Sequence, residues 1–115
     1  MEKLQISARL PNIDPANLSE FKTLAAEALV ITKGEPGVLQ YDWFLNADET
    51  TCEVRETYAD SDAVMAHIGA MGDLLGRVIG LGGGIEIEVF GTPSAALLEA
   101  AASFKPTVYS FLQGK

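Results

Sequence analysis

The sequence predicts an α+β fold of order βαββαβ, a ferredoxin-like antiparallel sheet with helices on one face, and three patterns carry that expectation. Lys3 to Leu10 alternates apolar and polar residues with a period of two. Phe21, Leu24, Ala25, Ala28 and Leu29 recur at helical spacing. Two further alternating runs between Leu39 and Tyr58 flank the polar stretch Asn46-Ala47-Asp48-Glu49 and read as a hairpin.

In the first strand Leu4, Ile6, Ala8 and Leu10 share one face, with Gln5, Ser7 and Arg9 on the other. Pro11 to Pro15 makes a turn, and Asn17 with Glu20 three residues later reads as a capping box for a helix running to about Lys33. Gly34-Glu35-Pro36-Gly37 closes that helix. In the hairpin, Leu39, Tyr41, Trp43 and Leu45 form one row and Cys52, Val54, Glu56 and Tyr58 another. Asp60 or Ser61 caps a second helix that carries Ala63, Val64, His67 and Met71 on one side, with Gly69 and Gly72 as points of kinking or splitting. Leu74, Leu75, Val78 and Ile79 prolong the apolar face until Gly82-Gly83-Gly84 stops it, and Ile85, Ile87 and Val89 mark the last strand. Pro93 and Ser94 open a short helix to about Ser103, and Pro106 to Leu112 reads as a terminal strand or arm. We read residues 1–115 as one domain, with a core of about 1–91 and a C-terminal helix and arm over 92–115.

Composition narrows the partners. With 48% hydrophobic and 21% charged residues, the 115-residue chain has the make-up of an ordinary globule. Eight basic against 16 acidic residues, net −8, disfavour nucleic acid and anionic membranes. Apolar runs are broken well before a bilayer-spanning length, and Glu2-Lys3 follows Met1 where a signal core would begin, so no membrane association and a cytoplasmic location are expected. The single cysteine, Cys52, forms no internal disulfide. One His and one Cys do not supply a typical metal site, and Gly80 to Gly84 lack the ending of a phosphate loop, so no metal and no cofactor are expected.

Glu56 is the polar intruder in an otherwise apolar strand row, and a carboxylate there needs a partner or a purpose. His67, the only histidine, is the nearest candidate in sequence. It reads either as a general acid–base oriented by Glu56 or as a core histidine satisfied by a carbonyl. Tyr41, Trp43 and Tyr58 either line the same cleft and stack on a flat substrate or serve as core aromatics. The other hairpin face carries Val38, Gln40, Asp42, Phe44, Glu53, Arg55 and Thr57, a mixture that includes apolar residues at odds with a wet surface. A homodimer through this open sheet face, closing a barrel, accounts for them, with Arg55 available to pair Asp42 or Glu53.

Gly37, Leu39-Gln40-Tyr41, the run Glu56-Thr57-Tyr58-Ala59-Asp60-Ser61-Asp62-Ala63, and His67 together resemble the signature of the antibiotic biosynthesis monooxygenase family. The likeness runs from the first strand to about Phe90 and is most specific between Glu56 and His67. It implies a half barrel that pairs with itself into a dimeric α/β barrel. It also implies a cofactor-independent monooxygenase of a small aromatic quinol or phenol, with dioxygen as second substrate. Within that resemblance His67 and Glu56 are the catalytic candidates, and Tyr41, Trp43 and Tyr58 the substrate-binding ones. Two alternatives stay open: a non-catalytic small-ligand-binding or stress-response dimer of the same fold, and a haem-binding relative with His67 as axial ligand. Scarce Lys and Arg to hold propionates weigh against the latter.

Overall fold

Alternation along the central strands turns their apolar side chains to one side, and that side gathers the helices. A computed structural model describes residues 3–115; Met1 and Glu2, on which the expectation for the N-terminus partly rests, lie outside the described residues. The elements run β1 (Leu4–Leu10), α1 (Leu18–Lys33), β2 (Val38–Leu45), β3 (Cys52–Tyr58), α2 (Ser61–Met71), α3 (Asp73–Leu81), β4 (Glu86–Phe90), α4 (Ala95–Ala100) and β5 (Thr107–Tyr109). The sheet has the order β2-β3-β1-β4-β5 and is not closed, and the helices lie on one side of it. The βαββαβ core is antiparallel as expected, and β5 adds a parallel edge beside β4. Leu4, Ile6, Ala8 and Leu10 of the central β1 are buried, and Phe21, Leu24 and Ala28 of α1 pack over the same face. Each large side chain so covered contributes roughly 1.5–3 kcal/mol.

Local chemistry departs from the sequence expectation at the first cap and in β2. Asp14, not Asn17, supplies the first cap: its side chain accepts from the Ala16 amide at 2.9 Å and opens a 3-10 turn ahead of α1. In β2 a bulge at Leu39 leaves Val38 opposite Tyr58 while Gln40 faces Thr57. The extra residue flips the parity, so Val38 packs on the helix side and Leu39 is left half exposed. As expected, the second helix splits at Gly72, whose φ of 53° turns α3 by 81° from α2. Finally, the terminal arm lies against β4 of its own chain. No single helix among the described residues is long and apolar enough to cross a membrane.

Gly37 sets how closely α2 approaches the sheet. A Cβ on it would lie 2.6 Å from the Cβ of Ala63, so only glycine lets the start of β2 run this close beneath the first turn of α2. The Ala59 amide donates to the Gly37 carbonyl at 2.9 Å and locks that crossing.

Candidate functional site

Period-two alternation sends Cys52, Val54, Glu56 and Tyr58 of β3 toward the helices. Tyr58 is fully buried and its hydroxyl donates to Glu56 Oε1 at 2.5 Å. Directly across the ladder, Tyr41 of β2 faces Glu56. Above them, α2 is capped by Asp60, which accepts from the Ala63 amide at 2.8 Å, and its 3.6-residue period buries Val64, His67 and Met71.

The partner of His67 is not Glu56. Nδ1 lies 2.8 Å from Oε1 of Glu35, a residue in the turn between α1 and β2. That turn is held by the Glu35 amide donating to the Thr32 carbonyl and the Val38 amide donating to the Glu35 carbonyl. A carboxylate only accepts, so Nδ1 carries the proton and Nε2 is left as the basic atom of the ring. The imidazole sits between two phenol rings, 5.0 Å from Tyr41 and 5.8 Å from Tyr58 by centroids. The expectation that Glu56 orients His67 is therefore corrected: Glu56 is engaged by Tyr58 on its own strand, and Glu35 reaches His67 across the Gly37 crossing.

All five residues proposed from the sequence, Glu56, His67, Tyr41, Trp43 and Tyr58, line one cavity between the sheet and the helices. Its wall is otherwise almost entirely hydrocarbon, and among the described residues no Lys or Arg lines it. Trp43 packs edge-on against Tyr41 and Phe21, and its indole N–H is buried with no hydrogen-bond partner. A buried donor in that state costs about 1–3 kcal/mol. Among the described residues no three His, Cys, Asp or Glu side chains converge as a metal ligand set.

Burial dominates the electrostatics. Desolvation pushes the Glu56 carboxyl up to about 7, and the Tyr58 hydrogen bond restrains it. Part of Glu56 faces the cavity, yet protein surrounds the group closely enough to disfavour its charge. Tyr41 and Tyr58 are both held well above the ordinary phenolic range, first by desolvation and then by the neighbouring Glu56. The cavity thus offers a carboxyl able to keep its proton near neutral pH and, lining the same space, an imidazole held through Nδ1 by Glu35.

Glu35 is the functional candidate that sequence reasoning missed. Between Gly34 and Pro36 it reads as the solvated end of a helix, and nothing periodic connects it to a histidine 32 residues on. Asn46 accepts from the Thr50 and Thr51 amides and so shapes the hairpin loop. Cys52 is buried and its thiol is pushed up to about 11 by desolvation, which suits packing and not nucleophilic attack.

Comparison with known proteins bears on this geometry. The model of the antibiotic biosynthesis monooxygenase family matches residues 6–70, a span that holds Glu35, Tyr41, Trp43, Glu56, Tyr58 and His67. No curated protein matches the chain. Among solved structures it is similar to MupZ from Pseudomonas fluorescens at 23% identity and a TM-score of 0.84, covering 100% of this chain and 94% of that one. It is similar to SnoaB, a cofactor-independent oxygenase from Streptomyces nogalater, at 15% identity and a TM-score of 0.62, covering 83% and 97%. A conserved protein from Methanosarcina mazei Go1 is similar at 19% identity and a TM-score of 0.64, covering 77% and 91%. At such identities these likenesses speak for the fold.

Proposed function

The chain belongs to the antibiotic biosynthesis monooxygenase family, and from that premise we propose that it is a cofactor-independent monooxygenase of a small phenol or hydroquinone. The observation that carries this reading is the Glu35–His67 pair, whose Nε2 is left basic inside a hydrocarbon cavity walled by Tyr41, Trp43 and Tyr58. Likeness of fold to a cofactor-independent oxygenase supports it.

A phenol entering the cavity gives its hydroxyl proton to Nε2 of His67, while Glu35 stabilises the imidazolium that forms. The resulting phenolate is electron-rich enough to bond dioxygen through a ring carbon. Glu56 protonates the peroxide, and loss of the ring hydrogen on that carbon with departure of water leaves a quinone. One phenol and one dioxygen become one quinone and one water, so no external reductant enters the balance. The apolar wall keeps bulk water from the intermediates.

Oxygen uptake by the purified protein against a panel of phenols and hydroquinones, with His67→Ala beside it, tests the proposal. The expected result is uptake by the wild type and a loss of about a hundredfold or more in the variant. Equal uptake by both removes His67 from the chemistry. Glu56 favours one second reading, an isomerase-like proton transfer that uses no oxygen, because a neutral carboxyl beside a base suits that reaction equally. Conversion without oxygen uptake selects it, and binding without conversion selects a ligand-binding role.

We also propose that the open sheet face joins a second copy. Phe44 is 56% exposed there, and Phe90 stacks on Tyr109 at 5.2 Å beside it. Around them Ser7 donates to Glu53 at 2.7 Å, and Arg55, offered both Asp42 and Glu53, pairs with Glu53. Phe44→Glu is expected to shift the mass measured by light scattering from two copies to one; an unchanged mass contradicts this face. The acidic surface and the single buried thiol fit residence in the cytoplasm.

A further inference from the structure

Polar groups occupy only one end of the cavity. Tyr41 and Trp43 stand on β2, Glu56 and Tyr58 on β3, and His67 on α2 above them. Beyond β3 the sheet continues through β1 and β4, which contribute Ile6, Ala8, Ile87 and Val89, and α4 finishes the wall with Leu97 and Leu98. From β2 to β4 is three strand spacings, about 14 Å, and a single phenol ring covers little more than one of them. At the far end Ile6, Ala8, Val89 and Leu97 are buried, and the wall meets solvent at Leu98. Tyr58 is 0% and His67 6% exposed at the polar end, whereas Leu98 is 42% exposed at the other. Leu98 thus marks a solvent-facing edge of the hydrocarbon wall.

We propose that the substrate is an uncharged amphiphile: a hydroxylated ring held at the β2–β3 end, bearing a medium-length alkyl chain that runs beneath β1 and β4 and leaves past Leu98. This rests on the phenol oxygenase reading for the ring, and on the cavity alone for the tail. A long hydrocarbon wall gains nothing from a bare ring, and each methylene laid against it removes apolar surface from water. A lining without Lys or Arg among the described residues sets the site against a carboxylate or phosphate head. The far wall is fixed in place: the Ser94 amide donates to Ser61 Oγ at 2.9 Å, Ser94 caps α4 through the Leu97 amide, and β5 ties the following segment to β4.

Trp43 is the only tryptophan in the chain and lines the cavity, so its fluorescence reports occupancy without any turnover. Titration with 4-methylphenol, 4-butylphenol and 4-octylphenol is expected to show affinity rising about fourfold per buried methylene until the chain reaches Leu98. Ala101→Phe, which narrows the far end, is expected to weaken octyl binding at least tenfold while methyl binding stays within about twofold. Leu98→Glu, at an exposed position that tolerates charge, acts the same way should the first variant fold poorly. A chain-length gain unaltered by both substitutions, or no gain at all, overturns the tail. Oxygen uptake takes no part in this readout. A flat series with uptake intact sinks the tail and spares the oxygenase; a rising series without uptake does the reverse.

Discussion

Replacing Glu56 by glutamine keeps the shape of the side chain and its bond from Tyr58 but removes its ability to ionise. In the folded protein burial raises this carboxyl from 4.5 to about 7, so the native state keeps a proton that the unfolded chain releases. Stability from this site is full below about pH 4.5, declines as pH rises through the interval, and is lost above about pH 7. The interval corresponds to about 3 kcal/mol; because part of the carboxyl faces the cavity, about 2 kcal/mol is the working figure. Urea denaturation near pH 5 and near pH 8.5 measures it: the wild type is expected to lose about 2 kcal/mol more than Glu56→Gln between the two. Tyr58, Tyr41, Glu35 and His67 surround the site in both proteins, so the difference isolates Glu56. Parallel curves for the two proteins refute the reasoning.

Glu35→Gln preserves the turn but removes the charge that steadies an imidazolium, and is expected to lower kcat by about ten- to a hundredfold with KM little changed, read from steady-state oxygen uptake. Gly37→Ala puts a methyl 2.6 Å from the Cβ of Ala63; thermal denaturation is expected to show a loss of about 1–3 kcal/mol as α2 is pushed from the sheet. Cys52 is 1% exposed with its thiol pushed up to about 11. Iodoacetamide is expected to label it about a hundredfold or more slower in the native protein than in urea, and comparable rates contradict its placement in the core.

Period-two and 3.6-residue patterns made β1, the hairpin and α2 legible, because each buries one face against the other and a slip would expose the whole row. The same patterns drew Tyr41, Trp43, Glu56, Tyr58 and His67 to one side of the sheet, where they do meet. What periodicity could not supply was partner choice. Glu56 and His67 are close in sequence, but i and i+2 on one strand place Tyr58 nearer to Glu56 than any helix residue. The carboxylate that does reach His67 comes from a turn, where no repeat constrains direction. The parity of Val38 failed for a related reason: a bulge adds one residue without any compositional mark, and everything N-terminal to it changes face. Gly37 was visible as part of a turn, but its closeness to Ala63 exists only once α2 crosses β2.

That Glu35 holds His67 as the base of this site is the claim on which the mechanism turns, and one histidine in the chain gives an uncrowded spectrum with which to test it. A long-range proton–nitrogen correlation spectrum of the neutral ring is predicted to show Nδ1 protonated and Nε2 bare in the wild type and in Glu56→Gln, and to lose that preference in Glu35→Ala. A ring protonated at Nε2 in the wild type, or one that responds to Glu56→Gln and ignores Glu35→Ala, contradicts it.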